Sequence, residues 1–155
     1  MEIDKLIITG AGGFIGSHLV KNFRVLFPEA EIIAIDNKPF ESWQYVGDSI
    51  KNICSDFQDV VAAEFKNCNL LIHAAALKHS NVNNKIASDE EIFKQNIIGT
   101  YRFLNKAKYN GVKKVVFASS LYVYGGKMNL KSNEDILPNP DTAYGISKLA
   151  GENIV

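Results

Sequence analysis

Three glycines near the start of the chain have the spacing of a phosphate-binding turn. Gly10, Gly13 and Gly16 follow the apolar segment Lys5–Thr9 and open Phe14–Phe27, where apolar residues recur at helical spacing. A glycine-rich turn between strand and helix lets the backbone approach a pyrophosphate, whose charge the helix N-terminus favours. A plain glycine-rich turn is the alternative, but the strand–turn–helix context favours dinucleotide binding.

Two aspartates follow the next two predicted strands. Asp36 lies twenty residues after Gly16, where a carboxylate accepts hydrogen bonds from the adenosine ribose and repels a 2′-phosphate. This position favours NAD over NADP, although the nearby Lys38 weakens the preference. Asp56, just past the third predicted strand, either receives the adenine amino group or caps a helix.

A second group of candidate residues, near the end of the chain, suits acid/base chemistry. Tyr144 and Lys148 are four residues apart, which places both on one helix face. A phenol with the ordinary pKa of about 10 is a poor base at neutral pH, and a nearby ammonium is expected to lower that pKa. Ser120 ends a predicted strand, where its hydroxyl can hydrogen-bond a substrate oxygen.

Strand-length apolar runs alternate with helical patterns, which predicts an α/β fold. The expected strands are Lys5–Thr9, Glu31–Asp36, Ile50–Cys54, Asn69–Ala75 and Lys113–Ser120. The expected helices are Phe14–Phe27, Asp56–Lys66, Asp89–Tyr109 and a last one that begins at an Asp141 N-cap. Strands that are apolar throughout are typical of a parallel sheet. We expect a single domain over residues 1–155, a doubly wound Rossmann sheet with strand order 3-2-1-4-5.

Charge and cysteine content argue against several classes of protein. Lys and Arg number 17, as do Asp and Glu, so no basic surplus points to nucleic acid or a membrane surface. No apolar run approaches the ~18–20 residues of a membrane span. Cys54 and Cys68 are interpreted as buried thiols, which fits a cytoplasmic protein. His18, His73 and His79 lack metal-ligand spacing, so no metal site is expected.

Taken together, the motifs resemble the extended short-chain dehydrogenase/reductases, in the branch of NAD-dependent nucleotide-sugar epimerases and dehydratases. The UDP-glucose 4-epimerase-like members are the most similar. The resemblance rests on TGAGGFIG (Thr9–Gly16), AIDN (Ala34–Asn37), HAAALKH (His73–His79), NIIGT (Asn96–Thr100), SSLYVYG (Ser119–Gly125) and YGISK (Tyr144–Lys148). It implies an epimerase in which the Tyr144 phenolate removes a sugar hydroxyl proton while hydride passes to the nicotinamide. Lys148 would bind the nicotinamide ribose, and Ser120 would stabilise the reacting oxygen.

The same resemblance extends the set of residues expected to bind NAD. Backbone amides of Phe14 and Ile15 would meet the pyrophosphate, whereas Asn96 would be structural. Beyond the three glycines, the expected cofactor-binding residues are Phe14, Ile15, Asp36, Asn37, Asp56, Phe57, Ala74, Ala75, Ala76, Lys78, Gln95, Tyr144 and Lys148.

Two departures from the family pattern bear on function. The 4,6-dehydratases carry an Asp-Glu pair after the strand hydroxyl, where this chain has Leu121-Tyr122, so dehydration is disfavoured. Family members are usually much longer, so two interpretations are open: a cofactor-binding half truncated before the part that binds a nucleotide sugar, or a naturally short relative. The last predicted helix is still in progress at the final residues, Gly151–Val155, which favours the truncated half. A reductase, dehydratase or decarboxylase of the same fold, and a non-catalytic NAD-binding module, are the alternatives. The resemblance also implies a homodimer through helices 89–109 and 142–155, weakened in this chain.

Overall fold

A parallel sheet dominates the computed structural model, which describes residues 3–79, 81–82, 85–126 and 135–155. The strands are β1 Lys5–Thr9, β2 Glu31–Asp36, β3 Lys51–Cys54, β4 Leu70–His73, β5 Asn81–Val82, β6 Lys85–Ile86 and β7 Val115–Phe117. Five of them form one sheet in the order β3-β2-β1-β4-β7, and β5 and β6 form a separate antiparallel pair. The predicted order and the doubly wound α/β fold are confirmed.

The helices alternate with these strands along the chain, as the sequence pattern predicts. They are α1 Phe14–Leu26, α2 Asp89–Phe93, a π-helical segment Lys94–Gly99, α3 Thr100–Tyr109 and α4 Ala143–Ile154. The predicted helix Asp89–Tyr109 is therefore present, with a π-helical interruption in its middle.

The register of the sheet brings predicted cofactor-binding residues to one edge. Ile7 in β1 lies opposite Ile33 of β2 and Leu71 of β4, and all three side chains are fully buried. All five strands run in parallel, so their carboxyl ends meet along the same edge, where open α/β sheets bind ligands. Thr9 pairs with His73 at that edge, and Asp36 pairs with Cys54.

The chain divides into two compact units. The first contains residues 1–75 and 103–118, and it holds the entire parallel sheet. The second contains residues 76–102 and 119–155, and it holds α2, the π-helical segment and α4. The single domain expected over residues 1–155 remains a prediction.

The helix predicted over Asp56–Lys66 is wrong. The structure has two short 3₁₀ helices there, Phe57–Asp59 and Ala62–Phe65. The Lys106 ammonium donates to the carbonyl oxygens of Gln58, at 2.7 Å, and Val60, at 3.1 Å. An α-helix would use those carbonyls for its own amides four residues later. The apolar side chains Phe57, Val60 and Phe65 are nevertheless buried, which explains the helix-like pattern.

Two smaller expectations also need correction. Thr142, not Asp141, caps α4: its hydroxyl accepts the Gly145 amide at 3.0 Å, whereas the Asp141 carboxylate accepts the Gly126 amide at 2.8 Å. Both cysteines are free thiols, but only Cys68 is buried. Cys54 is exposed because it ends β3, an edge strand of the sheet.

Candidate active site

The glycine turn of the first unit requires two of its glycines on steric grounds. Gly10 has φ +72°, and a Cβ there would lie 2.7 Å from the Ala75 nitrogen. A Cβ at Gly16 would overlap the Gly10 carbonyl oxygen. The third glycine of the motif therefore lets α1 pack closely on the turn itself.

The N-terminus of α1 has the features of an anion site. Gly13 is its N-cap and supplies no side chain, and the first turn contains no acidic residue. A Cβ at Gly13 would meet only the Gly10 carbonyl oxygen, at 3.3 Å. Space that a side chain would fill thus stays open beside the amides of Phe14 and Ile15, whose own side chains are 69% and 60% exposed. A pyrophosphate fits this combination of open backbone donors and helix dipole.

Asp36 is buried at the carboxyl end of β2, with both carboxylate oxygens held by backbone amides. Its Oδ2 accepts from the Gly12 amide and its Oδ1 from the Lys38 amide, each at 3.0 Å. A carboxylate has about four lone-pair sites, so two remain for ribose hydroxyls. The side chains of Asn37 and Lys38 are exposed beside it.

Asp56 and Phe57 have clear structural roles in the first unit. Asp56 Oδ1 accepts the Gln58 amide at 2.9 Å and caps the following 3₁₀ helix, which is the alternative that the sequence left open. The Phe57 ring is buried against the rings of His73, at 4.8 Å, and Phe103, at 5.3 Å. The Phe57 ring therefore belongs to the core, and an adenine contact of Asp56 remains a prediction.

His73 is a satisfied core histidine, as its apolar surroundings indicate. It is fully buried, and its Nδ1 lies 2.7 Å from the Thr9 hydroxyl. The chain then leaves β4 through Ala74 and Ala75, which are half-buried and whose backbone contacts Gly10. These two residues thus lie beside the glycine turn.

The second unit brings together the three predicted catalytic side chains. Ser120 caps the 3₁₀ helix Leu121–Tyr124 and hydrogen-bonds the Tyr144 phenol. The Lys148 Nζ lies 5.8 Å from the centroid of the Tyr144 ring. The Tyr122 ring meets Tyr144 edge-on, with 5.8 Å between centroids. Hydroxyl, phenol and ammonium therefore form one cluster.

Burial dominates the electrostatics of this cluster. Burial raises the pKa of Tyr144 above its usual value of 10.0, and the Ser120 hydrogen bond offsets this only in part. Burial also lowers the pKa of Lys148, a residue only 2% exposed, to about 8. The expected lowering of the Tyr144 pKa by Lys148 is therefore wrong for the chain without ligand, because desolvation of the phenolate is the larger effect.

Two residues that support the cluster differ in how far the sequence revealed them. A Cβ at Gly145 would overlap the Tyr122 carbonyl oxygen, so glycine there lets α4 contact the turn that carries Ser120. No pattern in the chain indicates this contact beforehand. Asn96, expected to be structural, donates to the Leu77 carbonyl at 2.7 Å and to the Ser147 hydroxyl at 3.0 Å.

The remaining candidate residues are placed as follows. Ala76 and Lys78 are exposed and Gln95 is half-buried, all in the second unit. His79 Nε2 lies 2.8 Å from Asp89 Oδ1. Over the described residues, no group of three His, Cys, Asp or Glu side chains could hold a metal ion. In the same part of the chain, no helix is long and apolar enough to cross a membrane.

Comparison with known families identifies the family of this chain. The profile of the NAD dependent epimerase/dehydratase family matches residues 6–155. The chain belongs to this family. NAD is accordingly its cofactor, and solved structures of similar proteins contain it.

Individual relatives include both reaction types of the family. A dTDP-D-glucose 4,6-dehydratase of Dictyostelium discoideum is 29% identical, over 99% of this chain and 40% of its own length. A putative UDP-glucose 4-epimerase of Methanocaldococcus jannaschii is 30% identical, over 97% of this chain and 49% of its own length. The structure of MoeE5 in complex with UDP-glucose and NAD matches with a TM-score of 0.79 and 33% identity. The match covers 97% of this chain and 47% of the MoeE5 chain. The chain thus spans about half the length of these family members, or less.

Proposed function

We propose that the chain is the cofactor-binding half of an NAD-dependent epimerase that acts on a nucleotide sugar. The observation that carries the proposal is the cluster of Ser120, Tyr144 and Lys148 in the second unit. Leu121 and Tyr122 follow Ser120 and provide no carboxyl group for the elimination step of a dehydratase. Proton transfer at a sugar hydroxyl is the chemistry that these side chains can perform.

The first unit supplies the residues that would hold NAD. The amides of Phe14 and Ile15 would bind the pyrophosphate, and Asp36 would accept hydrogen bonds from the adenosine ribose. The other residues proposed to bind NAD are Asn37, Asp56, Phe57, Ala74, Ala75, Ala76, Lys78 and Gln95. NAD, when bound, supplies a reversible hydride acceptor with a positive charge in its oxidised form.

The catalytic side chains would divide the proton chemistry among them. Tyr144 would take the proton of a sugar hydroxyl and later return one to the same oxygen. Its raised pKa keeps it protonated at neutral pH in the chain without ligand, so it needs added positive charge nearby to act as a base. Lys148, with a pKa of about 8, remains mostly charged at neutral pH and supplies part of that charge. Ser120 would hold the phenol oxygen and the substrate oxygen in line.

The first experiment is a titration of the purified chain with NAD by calorimetry. We expect binding that weakens from the parent chain to Gly13→Ala and weakens further in Gly13→Val, because each added methyl group fills space in front of the phosphate-binding amides. The loss for valine should be about tenfold or more, the cost of disturbing hydrogen bonds to a charged group. Circular dichroism checks that the variants are folded. Equal affinity in all three proteins would place the cofactor elsewhere.

A second experiment separates the reaction classes. An epimerase regenerates its cofactor in each cycle, so NAD retained through purification and released on denaturation favours this reaction. Consumption of free NADH with a keto-sugar nucleotide would instead indicate a reductase. A complete protein that binds NAD and turns over no sugar nucleotide would be a non-catalytic module. A cytoplasmic location and a homodimer through helices 89–109 and 142–155 are extended to this protein as part of the proposal.

A further inference from the structure

The segment between β2 and β3 is built around the chain's one tryptophan. Trp43 follows a 3₁₀ turn, Phe40–Ser42, and is only 8% exposed although the residues just before it are exposed. Its ring meets Phe40 edge-on, with 5.1 Å between centroids. A buried indole within an exposed loop has contacts that fix the loop. Trp43 contacts Lys38 and Gly12, the two residues whose amides bind Asp36.

Trp43 supports both backbone amides that bind the Asp36 carboxylate. Its indole N–H donates to the Lys38 carbonyl at 2.8 Å. The backbone amide of Lys38 in turn donates to Asp36 Oδ1. The ring also packs on Gly12, where a Cβ would lie 2.8 Å from the indole Cδ1. The Gly12 amide is the donor to Asp36 Oδ2. The Cys54 thiol provides a second donor to the Lys38 carbonyl, at 3.1 Å.

We infer that Trp43 is a positioning residue that holds the Asp36 carboxylate at the adenosine end of the cofactor site and so sets the preference for NAD over NADP. This inference rests on the proposed function. A carboxylate fixed through both oxygens presents the same acceptors to ribose hydroxyls at all times, and it cannot turn away from a 2′-phosphate. Once released, it could rotate, and the exposed Lys38 ammonium could then pair with the phosphate.

The test compares the affinities of the chain for NAD and NADP in the parent protein and in Trp43→Phe. The variant keeps an aromatic ring but loses the indole donor. We expect the NAD:NADP affinity ratio to fall about fivefold, which is the effect of one hydrogen bond of about 1 kcal/mol. General destabilisation would lower both affinities together and leave their ratio unchanged. Phe40→Leu, which alters packing in the same loop without removing the donor, should keep the parent ratio.

A second replacement avoids the smaller ring of phenylalanine. Because the chain has one tryptophan, expression with β-(3-benzothienyl)alanine replaces the indole N–H by sulfur at this position alone and conserves its shape. The ratio should fall as in Trp43→Phe. Cys54→Ala removes the second donor to the Lys38 carbonyl and should lower the NAD:NADP ratio by a smaller factor. Cys54→Ser keeps a donor and should retain the parent ratio.

Asp36→Ala distinguishes failure of this inference from failure of the proposed function. If Asp36→Ala removes the preference for NAD but both Trp43 replacements leave it unchanged, the positioning role is wrong and the cofactor site stands. If the parent chain shows no preference, or Asp36→Ala does not change it, Asp36 does not meet the ribose and both proposals fail at this position. A ratio that falls in Asp36→Ala and in both Trp43 replacements supports the inference.

Discussion

Tyr144 and Lys148 show how burial sets the charge of individual side chains in the candidate active site. Burial raises the pKa of the phenol and lowers that of the ammonium to about 8, so each group is pushed toward its neutral form. The Ser120 hydrogen bond acts in the opposite direction on the phenol but is the smaller effect. The chain without ligand therefore holds a proton donor, and its base form depends on charge brought by what binds.

We predict that Tyr144 ionises above pH 10 in the chain without ligand. Its measurement is the tyrosinate absorbance of the parent chain minus that of Tyr144→Phe, followed from pH 6 to pH 11. The difference should stay flat through the neutral range because burial disfavours the phenolate. A tyrosine that ionises near pH 7 in the parent and is missing from the variant would contradict the prediction.

The second prediction concerns Lys148 and stability. Its pKa is about 8 in the folded chain, against 10.5 for a lysine exposed to water, so the unfolded state binds more protons between those values. The free energy of unfolding from this residue should rise with pH across that window, by roughly 3 kcal/mol, and the burial penalty is fully present below pH 8. Lys148→Met should therefore be more stable than the parent at pH 7, by about 2 kcal/mol. Urea unfolding measures the pH dependence of the parent and the stability of the variant. A Lys148→Met chain less stable than the parent at pH 7 would disprove the prediction.

Residue-level features could be predicted from the sequence where chain spacing alone determines them. The three glycines belong to a local strand–turn–helix unit, and Asp36 ends the strand that follows it, so their placement followed from their order. The contacts of Gly145 with the Tyr122 carbonyl and of Trp43 with Gly12 depend on segments that meet only after folding. No periodicity or composition in one sequence encodes such approaches. The same limit applies to the pKa of Tyr144, because burial is a property of the folded chain.

At the scale of elements, the start of α4 gives a direct test of the observed cap. Thr142→Ala should lower the free energy of unfolding by about 1 kcal/mol, since the Gly145 amide loses its side-chain acceptor. Thr142→Ser keeps the hydroxyl and should retain most of the stability. Chemical denaturation of these variants beside Asp141→Ala decides between the two candidate caps. A full loss in Asp141→Ala with none in Thr142→Ala would restore the cap expected from sequence.

Elements were predictable in kind and less so in extent. The strands predicted over Asn69–Ala75 and Lys113–Ser120 are shorter, Leu70–His73 and Val115–Phe117, because an apolar run continues past the residues that pair. The false helix at Asp56–Lys66 has a different cause. Its carbonyls bind the Lys106 ammonium, a partner more than forty residues away that local pattern cannot show.

For the whole molecule, strand order was predictable because alternating strands and helices with right-handed crossovers allow few arrangements.

The prediction for the whole chain concerns its catalytic activity. The chain spans 40% to 49% of two curated relatives, so we expect no measurable turnover of a sugar nucleotide. Positioning of reactants accounts for about 7–11 kcal/mol of a barrier, and we expect this chain not to supply it for the sugar. Epimerisation assayed by chromatography tests this; turnover abolished by Tyr144→Phe would show a complete, minimal enzyme.

The π-helical segment Lys94–Gly99 makes one part of the site depend on residue count as well as on residue identity. A π turn is equivalent to an α-helix with one residue inserted. Deleting the exposed Ile98 would restore regular helix and change the direction in which the Asn96 side chain leaves the helix, because Asn96 lies inside the π turn. Asn96 would then lose its bonds to Leu77 and Ser147. Single-residue deletions here should therefore be far less tolerated than substitutions of the same exposed side chain.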